Sequence, residues 1–70
     1  MIFDFLGKEL NLGNSVIFCK SNKLYKGTIS HFTKSMTAIM FVDYDGAIKC
    51  VYKHSDKIIK LSNGKESKIF

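Results

Sequence analysis

The stretch Leu24-Tyr25-Lys26-Gly27-Thr28-Ile29-Ser30-His31-Phe32 constrains the fold more than any other part of the chain. It reads as one long strand with a glycine in its middle. A glycine inside a strand marks a bend, a bulge or a close backbone approach. Side chains alternate along a strand, so Ile29 and Phe32 fall on opposite faces if it runs straight. Burying both requires a bend or bulge, and Gly27 is the predicted corner. Strands of this kind turn from one sheet to the next in small β-barrels.

The flanking sequence supplies partners for that strand. Ser15 to Lys20 alternates, with Val16 and Phe18 on one face and Ile17 and Cys19 on the other. Lys20-Ser21-Asn22-Lys23 is a polar connector and Thr33-Lys34-Ser35 a tight turn. Met36 to Asp43 reads as a third strand. Asp43-Tyr44-Asp45-Gly46 follows, and Asp-Gly between alternating apolar runs is a strong hairpin signal. Ala47 to Lys53 is the fourth strand. His54 to Lys57 suits one helical or 3₁₀ turn with a cap oxygen from Ser55 or Asp56. Ile58 to Leu61 is a short fifth strand.

Ahead of these, residues 1–12 place Ile2, Phe5, Leu6 and Leu10 at near-helical spacing, which predicts a short helix or an apolar arm covering one end of the barrel. Residues 62–70 read as a polar tail. The expectation is an all-β fold: a five-stranded SH3-like or Sm-like small barrel over residues 1–61.

Seventy residues make one small domain. Cys19 and Cys50 lie in apolar runs, which predicts buried free thiols in a reducing compartment. With no leader pattern and no long apolar run, a cytoplasmic protein is expected and a membrane role is not. The residues hold no nucleophile beside a base, no carboxylate pair and no phosphate loop, so no enzyme activity is expected. Cys50 and His54 stand four apart without a metal-ligand array around them, so neither metal nor cofactor is expected.

The charge is more informative. All eleven basic residues are lysine and the net charge is +5. An excess of this sign suits an anionic partner such as nucleic acid. AT-rich coding, as in a small phage or bacterial gene, also enriches lysine, asparagine, isoleucine and phenylalanine. Basic and aromatic residues interleave at Lys23, Tyr25, Lys26, Tyr52, Lys53, His54 and Lys57. Rings of this kind stack on bases while lysines follow phosphates. The same residues also fit a solvated lysine face over core aromatics, and the face of Tyr25 is not fixed by the sequence. Exposed tyrosines beside a groove would equally suit a peptide, as in SH3-type recognition.

Val51-Tyr52-Lys53-His54 resembles the Tyr-Lys-His segment of the Sm-like bacterial RNA chaperone family, Hfq. Lys23-Leu24 followed by Gly27-Thr28-Ile29-Ser30-His31-Phe32 is similar to that family's Lys-Leu-x-Gly-x-Ile-x-x-Phe pattern, with one extra residue before the glycine and Thr33 where the family has an acidic residue. The resemblance implies RNA binding with Lys53 and His54 facing RNA, and homo-oligomers formed by strand-edge pairing. The sequence reading thus leads to a nucleic-acid-binding module, RNA favoured. The alternative is a protein-binding adaptor or phage-type inhibitor of a host protein, in a bacterial or phage-infected cell.

Overall fold

The computed structural model describes residues 2–61, and the polar tail expected at 62–70 lies outside them. Five strands form one antiparallel sheet: β1 Ser15–Lys20, β2 Lys23–Phe32, β3 Thr37–Val42, β4 Ile48–Lys53 and β5 Ile58–Lys60. The spatial order is β4-β3-β2-β1-β5. A single 3₁₀ turn, Ser55–Lys57, precedes β5, with the Lys57 amide donating to the His54 carbonyl rather than to a side-chain cap.

One face of the sheet holds the core. Val16 and Phe18 from β1, Tyr25 and Ile29 from β2, Ile39 and Phe41 from β3, and Ile58 from β5 are buried together with Leu10. Phe32, Val51 and Ile2 pack against them. The period-two pattern puts these side chains inward, and burial of large apolar groups contributes roughly 25 cal/mol per Å² of surface removed from water. The opposite face has no second layer among the described residues. Cys19 and Cys50 sit on it and are exposed, contrary to the expectation of buried thiols. An apolar strand context buries a residue only on the covered face.

The bend in β2 is real, but it is displaced from Gly27. Register slips between Ile29 and His31, which makes Ser30 the bulged residue. Ile29 is buried and Phe32 is half-buried against the core, as a bulge between them permits. Gly27 sits in regular pairing with Val16 and Phe41. A Cβ there would lie 2.5 Å from Ile39 Cγ2 and 2.8 Å from the Met40 carbonyl oxygen. Its glycine is required by close approach of β3, not by a corner.

The sheet does not close. β5 pairs with β1 alone, and β4 with β3 alone. The N-terminal segment explains half of this. It is an arm, not a helix: Phe3 bridges Glu9, and Gly7 turns the chain at φ 83°. Asp4 Oδ1 accepts the amides of Leu6 at 2.9 Å and Lys8 at 2.7 Å. Such side-chain bonds compete with a helical ladder. The arm then covers the outer edge of β5, where the Phe5 amide donates to the Ile58 carbonyl and the Lys60 amide to Asp4 Oδ2. The Ile58 carbonyl and the Lys60 amide are thereby occupied, and the Ile58 amide donates to the Ser55 carbonyl, so this edge offers β4 little to pair with.

Candidate nucleic-acid interface

The seven residues singled out from the sequence separate into three places. Lys23 and Tyr25 lie at the start of β2, near the β3–β4 hairpin. Lys26 lies on the outer face of β2, opposite Ile17. Tyr52, Lys53, His54 and Lys57 lie at the far end, where Thr37 pairs with Lys53 and the turn joins β2 to β3.

Tyr25 is not a stacking platform. It is 7% exposed, its ring stacks 5.5 Å from Phe18 and 4.9 Å from Tyr44, and Phe41 meets it edge-on. Its hydroxyl sits beside Asp43, and burial together with that negative charge raises its pKa. The alternation of β2 carries it inward with Gly27 and Ile29, a choice that sequence alone left open. The surrounding hairpin is its own electrostatic unit. Lys49 Nζ lies 2.7 Å from Asp43 Oδ2 and 3.5 Å from Asp45 Oδ2. The Lys49 ammonium, with the Tyr44 amide, holds the Asp43 carboxyl at about 2. Lys23 Nζ stands 5.0 Å over the Tyr44 ring, and the Tyr44 hydroxyl donates to the Leu24 carbonyl.

The far end is different. Tyr52 is 46% exposed and packs edge-on against His31, with ring centroids 5.8 Å apart. The Ser30 hydroxyl lies 3.1 Å from His31 Nδ1, so the bulge in β2 sets the histidine beside the tyrosine. Lys53 and His54 follow Tyr52 in sequence, Lys57 lies on the 3₁₀ turn, and Lys34 lies in the turn between β2 and β3. Among the described residues both salt bridges belong to Lys49, so none of these lysines is neutralised by a carboxylate. Alternation along β4 puts the Lys53 side chain on the face opposite Tyr52, so these cations share the end of the sheet and not one face with the ring pair. An exposed ring pair with lysines at the same end can place a base on an aromatic face and phosphates on ammonium groups. His31 and Lys34 were missing from the sequence reading of the site. The bulge between Ile29 and Phe32 is legible in the sequence, but the contact of His31 with Tyr52, 21 residues on, has no local signature.

Among the described residues no group of three or more His, Cys, Asp or Glu is placed to hold a metal ion. No helix among them is long and apolar enough to cross a membrane. Residues 2–61 match the family described as Domain of unknown function (DUF7205). The chain belongs to the DUF7205 family. No curated protein and no solved structure matches it. The match spans every strand of the DUF7205 domain, the N-terminal arm and the Tyr52–His54 segment. It carries no Sm-like or phage relationship, so the likeness to Hfq rests only on the residues quoted for it.

Proposed function

We propose that the DUF7205 domain is a non-catalytic module that binds single-stranded nucleic acid, RNA in preference to DNA, at the Tyr52 end of the sheet. The observation that carries this reading is the exposed His31–Tyr52 ring pair at the end of the sheet that also carries Lys34, Lys53, His54 and Lys57, with no carboxylate neutralising those lysines among the described residues. The net charge of +5 supports it. The preference for RNA follows the Tyr52-Lys53-His54 resemblance, and so does an SH3-like or Sm-like character for the strand arrangement. A cytoplasmic setting in a bacterial or phage-infected cell belongs to the same proposal.

Fluorescence titration of a uridine-rich RNA and its DNA counterpart at low salt tests it. Binding is expected, with affinity falling steeply as salt rises through counterion release. Tyr52→Ala removes the stacking face and should cost about 1–3 kcal/mol, roughly ten- to a hundredfold in affinity. Lys53→Ala and His54→Ala should each weaken binding by less. An absence of binding at low salt, or full affinity in all three variants, would overturn the reading.

A second reading has its own support. The outer face of β3 and β4 exposes Met40, Val42, Ile48 and Tyr52 in adjacent rows. A contiguous apolar surface of this kind suits a protein partner, as for an adaptor or an inhibitor of a host protein. Capture of one host protein that survives nuclease treatment, combined with no RNA binding, would favour it.

A further inference from the structure

The two edges of the sheet are not equivalent. On β5 the Ile58 carbonyl and the Lys60 amide are bonded to the N-terminal arm, and the Ile58 amide to the Ser55 carbonyl. On β4 nothing among the described residues plays that part. Its outward groups follow from the hairpin. The Asp43 amide donates to the Ala47 carbonyl at 2.8 Å, which makes this the first hydrogen-bonded pair. Antiparallel pairs alternate, so the pairs Phe41–Lys49, Ile39–Val51 and Thr37–Lys53 exchange ladder bonds. The amides and carbonyls of Ile48, Cys50 and Tyr52 therefore point off the sheet. The side chains of the same three residues lie on the uncovered outer face, Ile48 at 71% exposure. Sheets usually shield such an edge, because it is a template for another strand.

We infer that β4 pairs with β4 of a second copy, antiparallel and centred on Cys50, to make a twofold dimer. In that register Cys50 faces Cys50, and Ile48 faces Tyr52 twice. Each of these residues offers an outward amide and carbonyl, so every outward group finds a partner. Lys49 falls opposite Val51, and no two lysines oppose one another. Moving the centre to Val51 would set Lys49 against Lys53 twice, and like charges directly opposite are destabilising.

Charge selects the same arrangement. One end of β4 carries the acidic hairpin with Asp43 and Asp45, and the other carries Lys53 and His54. Antiparallel pairing centred on Cys50 puts Lys53 of each copy opposite Ala47 of the other, beside Asp45. Lys53 has no carboxylate partner within its own chain among the described residues, and Asp45 is held by Lys49 only at 3.5 Å. With the β5 edge occupied, association closes at two rather than extending head to tail. The dimer rests on the β4 edge and not on the nucleic-acid reading, although Tyr52 and Lys53 take part in both.

Sedimentation equilibrium of the full chain in reducing buffer, over a range of concentrations, tests this. The expected result is a reversible species of twice the chain mass. Cys50→Lys, at an exposed position on the twofold axis, should raise the dissociation constant by about tenfold or more. Ile48→Lys should act in the same direction, which guards against a folding defect peculiar to one variant. Asp45→Lys and Lys53→Asp should each weaken the dimer, and the double variant should recover most of the loss. A monomer at all concentrations, an assembly of three or more copies, a dimer unmoved by the lysine variants, or no recovery in the charge swap would each overturn the inference.

Discussion

At Gly27 the missing side chain is a packing requirement. β3 crosses so close that a Cβ would press on Ile39 Cγ2, the Met40 carbonyl and, at 3.2 Å, the Phe41 Cβ. Ile39 and Phe41 belong to the core, and the Met40 carbonyl is backbone, so none of the three yields freely. Gly27→Ala should therefore cost roughly 1–3 kcal/mol in urea unfolding, and Gly27→Val more, with the β2–β3 pairing disturbed. Ser30→Ala, at the actual bulge, should cost less, because Ser30 is exposed and its hydroxyl makes only a 3.1 Å contact with the exposed His31 ring and a long bond to the Ala38 carbonyl, 3.3 Å. Equal costs at the two positions would argue against the close-approach account. The sequence signalled that β2 departs from a straight strand, because Ile29 and Phe32 demanded it. It did not say where, because a glycine at a crossing and a glycine at a bulge look alike in one chain.

The β1–β2 turn shows how much an element's ends depend on backbone conformation. Ser21 and Asn22 have φ of 53° and 63°, the left-handed region required at both centres of a two-residue hairpin. Asparagine tolerates this region and serine does so less well. Ser21→Gly should relieve that strain and raise stability by about 0.5–1 kcal/mol, read as a shift in thermal midpoint, with β1–β2 register unchanged. A loss of stability would mean that the serine side chain contributes something the turn geometry does not show. Strand periodicity and the Asp45-Gly46 signal made five strands and one hairpin legible. What stayed hidden was which face of each strand is covered. Tyr25 went inward and Cys19 and Cys50 outward, because the sheet has a single packed side and the parity of each strand is fixed only by its neighbours.

Across the whole molecule, one carboxylate ties the beginning of the described chain to its end. Asp4 is 5% exposed and accepts three backbone amides, from Leu6, Lys8 and, 56 residues on, Lys60. The near-helical spacing of residues 2–10 concealed this, since an aspartate that turns the chain locally and clasps a distant strand has no periodic signature. Burial alone would raise the Asp4 pKa, but the amides of Lys60, Lys8 and Leu6 outweigh it and leave the pKa below its ordinary 3.8. A folded-state pKa below the unfolded one means that the unfolded chain binds the proton more tightly. The stabilisation from Asp4 is thus fully present above about pH 4 and is lost as the pH falls through the lower, folded-state value. Asp4→Asn keeps an acceptor for Leu6 and Lys8 but turns an amide donor toward the Lys60 amide. It should cost roughly 1–3 kcal/mol at pH 7. The difference between wild type and variant should shrink steadily below pH 4, because a protonated Asp4 is also a poorer acceptor. Urea unfolding of both proteins between pH 7 and pH 2 measures that difference directly. A gap that stays constant over the range would show that the arm is held by packing of Ile2 and Leu10 and not by the carboxylate.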